Sequence, residues 1–296
     1  MKEEKVQNVG PSGIEIVYQR FGDTAAPPVF LIMGAGAQMI AWPDGFCMEL
    51  VSRGLQVIRF DSRDAGLSTH FTGAPDFSAA MAGDFSTVPY TLSDIAADTV
   101  GLMDTLGFDA AHLVGASMGG MIAQTIAIEY PAQVRSLTSI MSTTGNQSVG
   151  QPDYSVLSAL GAPPDNREGY IEWRVQSLKA IGATAYAFDE EAARDIAGRS
   201  WDRDHDPLAM LRQAVAVLKS GDRTELLKTI TAPTLVIHGK SDKMIDVSGG
   251  IATAEAIPNA KLVLFDGMGH GFPDPLWGEM ADLIAEHVRQ AELVTS

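Results

Sequence analysis

Cysteine occurs once in the 296 residues, as Cys47, which excludes an internal disulfide and any cysteine-based zinc or redox motif and leaves a buried structural thiol as the expected role. Positive charge is also scarce. With 21 Lys and Arg against 37 Asp and Glu, the net charge is -16 and the sequence pI near 4.6. That field repels polyanions, so neither nucleic acid nor an anionic membrane is expected as a partner. No apolar run approaches the length of a membrane span, and residues 1–8 lack the apolar stretch of a signal peptide. A cytoplasmic protein is the expectation. Repeats and low-complexity segments are missing as well, which removes solenoids and disordered tails from consideration.

What is present is an ordinary core-forming composition, 46% hydrophobic, with strands and helices alternating along most of the chain. Strands are expected at Ile14–Arg20, Val29–Met33, Val57–Phe60, Ala111–Val114, Val134–Ser142, Thr234–His238 and Lys261–Phe265. Several are apolar throughout, as suits a mostly parallel sheet covered on both faces. Helical spacing runs from Tyr90 to Leu106, with Ser93 as a candidate cap, after Ser117, and from Leu276 to Ala291. The alternation breaks between about Thr143 and Thr229. Turn-rich sequence from Gln147 to Asn166 is followed there by helical patterns near Gly169–Ile181, Asp189–Ser200 and Pro207–Lys219, the last with Asp206 as a candidate cap. The expected organisation is a core of 1–142 and 230–296 with residues 143–229 inserted as a helical cap.

Chemistry concentrates at Gly115-Ala116-Ser117-Met118-Gly119, where an apolar strand runs straight into a helix. In this Gly-x-Ser-x-Gly context a sharp turn lifts a serine hydroxyl clear of the sheet, and neighbouring backbone leaves room only for glycine on either side. Ser117 is therefore the candidate nucleophile. It needs a base and a group that orients the base. Of six histidines, His112 and His238 fall within strands and His287 in the last helix, where packing roles are expected. His70 lies in a loop, and His205 sits among charged residues that read as a solvated helix start rather than a metal cluster. His270, in Asp266-Gly267-Met268-Gly269-His270 after the last strand, can reach the strand ends and is the candidate base. Serine sites of this kind run Ser, acid, His along the chain. Asp242, directly after the strand Thr234–His238, is the candidate acid, and Asp246 is its alternative. Ala35 and Met118 are the candidate backbone donors of an oxyanion hole, with Gly34 and Gly36 as conformational support.

Together these residues resemble the α/β-hydrolase superfamily over nearly the whole chain. The His-Gly that many members carry after the third strand is here Met33-Gly34, and the common Asp-x-Arg-Gly-x-Gly-x-Ser loop appears as Asp61 to Ser68 with Asp64 in place of a glycine. With Ala41 to Phe46, Ser117-Met118-Gly119 and Gly267 to His270, the pattern is similar to the aclacinomycin-methylesterase branch, whose members hydrolyse a methyl ester on a polyketide. The resemblance implies an α/β-hydrolase fold with an eight-stranded sheet and a serine carboxylesterase. Its triad would be Ser117, Asp242 and His270, its oxyanion donors Ala35 and Met118, and it would need no cofactor or metal. The expected partners are a small to medium, fairly apolar ester and water. Lactone, carbon–carbon, perhydrolase and acyl-transfer chemistry use the same constellation, and a ligand receptor that lost turnover is the reading from another class. A serine nucleophile excludes the aspartate-nucleophile branch of the fold.

Overall fold

The computed structural model describes residues 2–295. Eight strands, β1 (Glu4–Val9), β2 (Ile14–Phe21), β3 (Pro28–Ile32), β4 (Gln56–Phe60), β5 (Ala111–Ala116), β6 (Val134–Ile140), β7 (Thr234–Gly239) and β8 (Lys261–Phe265), form one sheet in the order β1-β2-β4-β3-β5-β6-β7-β8. β1 pairs antiparallel with β2 and β2 with β4; the other five pairings are parallel. β1 was not expected from the sequence. Its polar, largely exposed residues make an edge strand without an apolar signature.

Among the described residues eleven α-helices accompany the sheet: α1 (Asp44–Ser52), α2 (Phe77–Met81), α3 (Leu92–Thr105), α4 (Met118–Glu129), α5 (Tyr154–Leu160), α6 (Arg167–Ile181), α7 (Glu190–Arg203), α8 (Ala209–Ser220), α9 (Thr224–Leu227), α10 (Ser248–Ala256) and α11 (Trp277–Thr295). The two-residue period of the strands sorts the core. Phe30 and Ile32 of β3 face a cluster with Ile95, Leu102, Ile122 and Ile126 of α3 and α4, while Val29 and Leu31 face Phe46 and Leu50 of α1 and Met280, Ile284 and Val288 of α11. Both sheet faces are thereby covered, which is why the central strands read as continuous apolar runs.

Two expected caps are corrected by the structure. Thr91, not Ser93, caps α3: its hydroxyl accepts from Asp94 N–H while the Asp94 carboxylate accepts from Thr91 N–H, a reciprocal box. Asp206 does not cap α8, which starts at Ala209 behind Leu208; its carboxylate instead accepts from Leu208 N–H and pairs with Arg212 and His70. The turn-rich stretch before α6 also contains α5, capped by Asp153.

The chain leaves the sheet at Ile140, runs through α5 to α9, and re-enters at Thr234. This helical insert is tied to loops at the C-terminal ends of the parallel strands. Arg203 of α7 pairs with Asp61 at 2.9 Å and Arg212 of α8 with Asp64 at 2.9 Å, linking the insert to the loop after β4. Thr184 N–H donates to Gly267 O at 2.8 Å and His270 N–H to Ile181 O at 2.7 Å, linking it to the loop after β8.

Backbones approach closely where α4 meets the sheet: a Cβ on Gly119 would stand 2.0 Å from Ile32 O, and one on Gly115 would stand 2.1 Å from Gly119 O. Neither obstacle is a side chain that can swing away. Gly119→Ala is expected to lower unfolding free energy by about 2–4 kcal/mol, read from the denaturant midpoint. Gly54→Ala, at φ 82° but with open space around it, should lose only about 1 kcal/mol. Equal losses would show that close packing at Gly119 is not the constraint.

Candidate active site

Ser117 occupies the turn between β5 and α4 with φ 57° and ψ -123°, a conformation that L-residues rarely adopt. The turn is held from several sides. Ser117 N–H donates to Ile140 O at 2.9 Å, Ser117 O accepts from Ser142 Oγ at 2.8 Å and from Gly120 N–H at 2.9 Å, and the glycine contacts just described let α4 close against β3 and β5. Gly34 completes the surroundings: a Cβ there would lie 2.9 Å from Ser117 Cβ and 3.3 Å from its Oγ. The oxyanion-loop candidate thus abuts the candidate nucleophile.

The loops after β7 and β8 bring the other two candidates together. His270 Nδ1 lies 2.8 Å from Asp242 Oδ2, both side chains being largely buried. Asp242 is fixed further by Met244 and Ile245, whose N–H groups donate to its Oδ1 at 2.8 and 2.9 Å. Burial alone would raise its pKa, but the His270 charge and the hydrogen bonds from His238, His270 and Ile245 N–H outweigh it and pull Asp242 down to about 2. It is ionised throughout the neutral range. Asp246, the alternative acid, instead accepts from Ser248 N–H. No hydrogen bond joins Ser117 Oγ to His270 among the described residues; such bonds are commonly long before a substrate is bound.

His238 was expected only to pack. In the structure its Nε2 donates to Ile245 O at 2.9 Å and lies 3.4 Å from Asp242 Oδ2, so it buttresses the same carboxylate. The separation of four residues from Asp242 was visible, but a histidine within an apolar strand gives no sign that its ring will turn toward the following loop. His112 bonds Ser136 and Glu292, and His287 lies against the carbonyls of Leu137 and Pro233, both away from the loops that carry Asp242 and His270. Cys47 is buried and its thiol is pushed up to about 12, which makes it inert.

Met118 opens α4, so its N–H belongs to the first turn that the helix itself leaves without an internal acceptor. Ala35 lies between Gly34 and Gly36, the latter at φ 66° with its N–H donating to Gln213 Oε1 at 2.8 Å. Met33, Met39, Met118, Met141 and Met268 are all buried among core residues. Asp64, where the related loop has glycine, adopts φ 57° and uses its carboxylate to accept from Arg212 at 2.9 Å, from Tyr90 Oη at 2.5 Å and from Phe71 N–H at 2.8 Å. With His70 and Asp206 it forms the one grouping of metal-type ligands among the described residues, and the Arg212 guanidinium already bridges both carboxylates. His205 stacks on Trp201 instead of joining that group.

Residues 27–274 match the model of the α/β hydrolase fold family. The chain belongs to this family. Among curated proteins, this α/β hydrolase is 28% identical over 294 residues to rhodomycin D methylesterase DnrP of Streptomyces peucetius, covering 91% of the chain and 93% of that protein. It is 32% identical over 178 residues to a 2-hydroxy-6-oxononadienedioate/2-hydroxy-6-oxononatrienedioate hydrolase of Burkholderia vietnamiensis, covering 57% of the chain and 59% of that protein. Among solved structures, the meta-cleavage product hydrolase of Pseudomonas fluorescens superposes with a TM-score of 0.74 at 22% identity, covering 96% and 99% of the two chains, a likeness of fold.

The depressed pKa of Asp242 has a sign that can be measured. Because the folded value lies below the ordinary 3.8, the stabilisation is complete above that pH and is lost as pH falls toward about 2. The stability difference between wild type and Asp242→Asn should therefore shrink by roughly 2 kcal/mol between pH 5 and pH 2, in urea titrations. A difference that is flat with pH would contradict this.

Proposed function

We propose that the protein is a serine carboxylic-ester hydrolase. The observation that carries the reading is the 2.8 Å His270–Asp242 pair at the strand ends, on the same sheet edge as a serine held at φ 57°. Ser117 Oγ attacks the ester carbonyl while His270 Nε2 takes its proton; Asp242 keeps the Nδ1–H tautomer in place and stabilises the imidazolium. The carbonyl oxygen becomes an oxyanion facing the N–H groups of Ala35 and Met118. His270 then gives the proton to the departing alcohol, leaving an acyl ester on Ser117. Water, deprotonated by His270, attacks that ester and releases the acid, and the proton returns to Ser117. Ester and water yield acid and alcohol, and no cofactor or metal takes part in this scheme.

A small to medium, fairly apolar ester is the proposed substrate, with methyl esters foremost because the relative aligned over 91% of the chain carries the name methylesterase. The helical insert acts as a cap over the strand ends. The relative named as an oxo-dienedioate hydrolase favours one second reading, carbon–carbon bond hydrolysis by the same residues.

Turnover of p-nitrophenyl and methyl esters should fall to background in Ser117→Ala, and a fluorophosphonate should label wild type at Ser117 alone. Asp242→Asn should lower kcat about 10³–10⁴-fold, because the imidazole then favours the wrong tautomer. Undiminished hydrolysis by Ser117→Ala would refute the serine mechanism, and cleavage of oxo-dienoates without cleavage of esters would favour the second reading.

A further inference from the structure

We infer that Gln213, on α8 of the insert, is a positioning residue for the oxyanion loop, so that the ester-splitting site is complete only while the insert is docked. This rests on the serine-esterase reading and deepens it.

Gln213 is fully buried and uses both ends of its amide. Oε1 accepts from Gly36 N–H at 2.8 Å, while Nε2 donates to Arg63 O at 2.9 Å and reaches Asp64 O at 3.4 Å. The partners dictate the amide's orientation, with an N–H on one side and carbonyl oxygens on the other. One side chain from the insert therefore clamps the loop after β3 to the loop after β4. An ionised glutamate of the same length offers acceptors only, and a methionine offers no donor.

The clamp acts on the proposed oxyanion donor. Gly36 N–H is consumed by Gln213 and cannot serve the oxyanion. Ala35, one peptide earlier, is bracketed between Gly34, which abuts Ser117, and the anchored Gly36. The same helix presses on the loop from outside, since a Cβ on Gly36 would stand 3.0 Å from Met210 Cγ and Sδ. α8 is itself pinned one residue earlier, where Arg212 meets Asp64 through two 2.9 Å contacts with both side chains buried. Next along the loop, Gln38 donates to Ser200 O at 2.7 Å and accepts from Arg203 at 2.6 Å, so α7 holds the other end. The loop after β3 is shaped from the insert, and a shift of about 1 Å in such a donor is enough to slow chemistry about 10²-fold.

Gln213→Met keeps the length and removes both hydrogen bonds; Gln213→Glu keeps an acceptor and regains a donor only when protonated. With active sites counted by fluorophosphonate titration, Gln213→Met should lower kcat per site about 10–100-fold and leave KM for a p-nitrophenyl ester within about threefold. Its affinity for a trifluoromethyl ketone, which forms an oxyanion on the enzyme, should fall by the same factor as kcat/KM. For Gln213→Glu, kcat relative to wild type should rise as pH is lowered from about 9 to about 6, as the buried carboxyl takes up its proton. Wild-type kcat per site in Gln213→Met, a loss confined to thermal stability and active-site count, or a pH-independent ratio for Gln213→Glu would each overturn the inference. Failure of the underlying esterase reading would look different, as full turnover in Ser117→Ala.

Discussion

The arrangement depends on one close approach of two backbones. For Ser117 to stand above the sheet, α4 must start directly from β5 and pass against the end of β3, and the chain meets that demand by having no side chain at Gly115 or Gly119. An unfavourable φ at Ser117 persists because the surroundings leave it no alternative: its N–H is bonded to the end of β6, its carbonyl to α4 and Ser142, and its flank is filled by Gly34. The parallel register then carries the position outward, since Met141 N–H donates to Ile237 O and the loops that follow β7 and β8 deliver Asp242 and His270 at the same edge. A topology in which neighbouring strands all end on one side makes a site from residues 28 positions apart and more.

Electrostatics divides the labour among buried acids. Asp242, surrounded by two imidazoles and two backbone N–H groups, is held ionised, the state the proposed orienting role requires. Asp61 is driven the other way by burial, although Arg203 and the N–H groups of Met39 and Leu67 bond to it. Asp64 and Asp61 spend their charge on arginines of the insert. Pairs of this kind add little net stability but are costly to break singly, which suits a device that fixes one docking position. The same insert also bonds the backbone of His270 through Ile181, so it contacts both the loop after β3 and the loop that carries His270.

Much of this was legible in the sequence where local rules apply. Apolar strands gave themselves away by composition, and the candidates Ser117, Asp242 and His270 were picked out because they follow strand ends in the order Ser, acid, His. The acid and base do meet, while the donor roles of Ala35 and Met118 rest on the proposed mechanism. Illegible features have physical reasons. β1 is an exposed edge with no apolar period, and the Thr91 box competed with a serine two residues later. Asp206 looked like a cap because it precedes Pro207 at a helical pattern, whereas its carboxylate pairs with Arg212 of α8 and with His70 far away in the chain. Gln213 and Arg212 meet the core across 177 and 148 residues of chain, and nothing in a local window signals such partners. His238 was read as packing because the turn of a strand histidine toward its following loop is set by folding, not by spacing.

In the proposed reaction an acyl group passes through Ser117. Acid quenching during steady turnover of a methyl ester, followed by peptide mass mapping, tests it directly. The peptide containing Ser117 should carry the acyl mass, and the methyl and p-nitrophenyl esters of one acid should leave the same increment. An unmodified Ser117 peptide during rapid turnover, or an acyl group on another residue, would contradict the account.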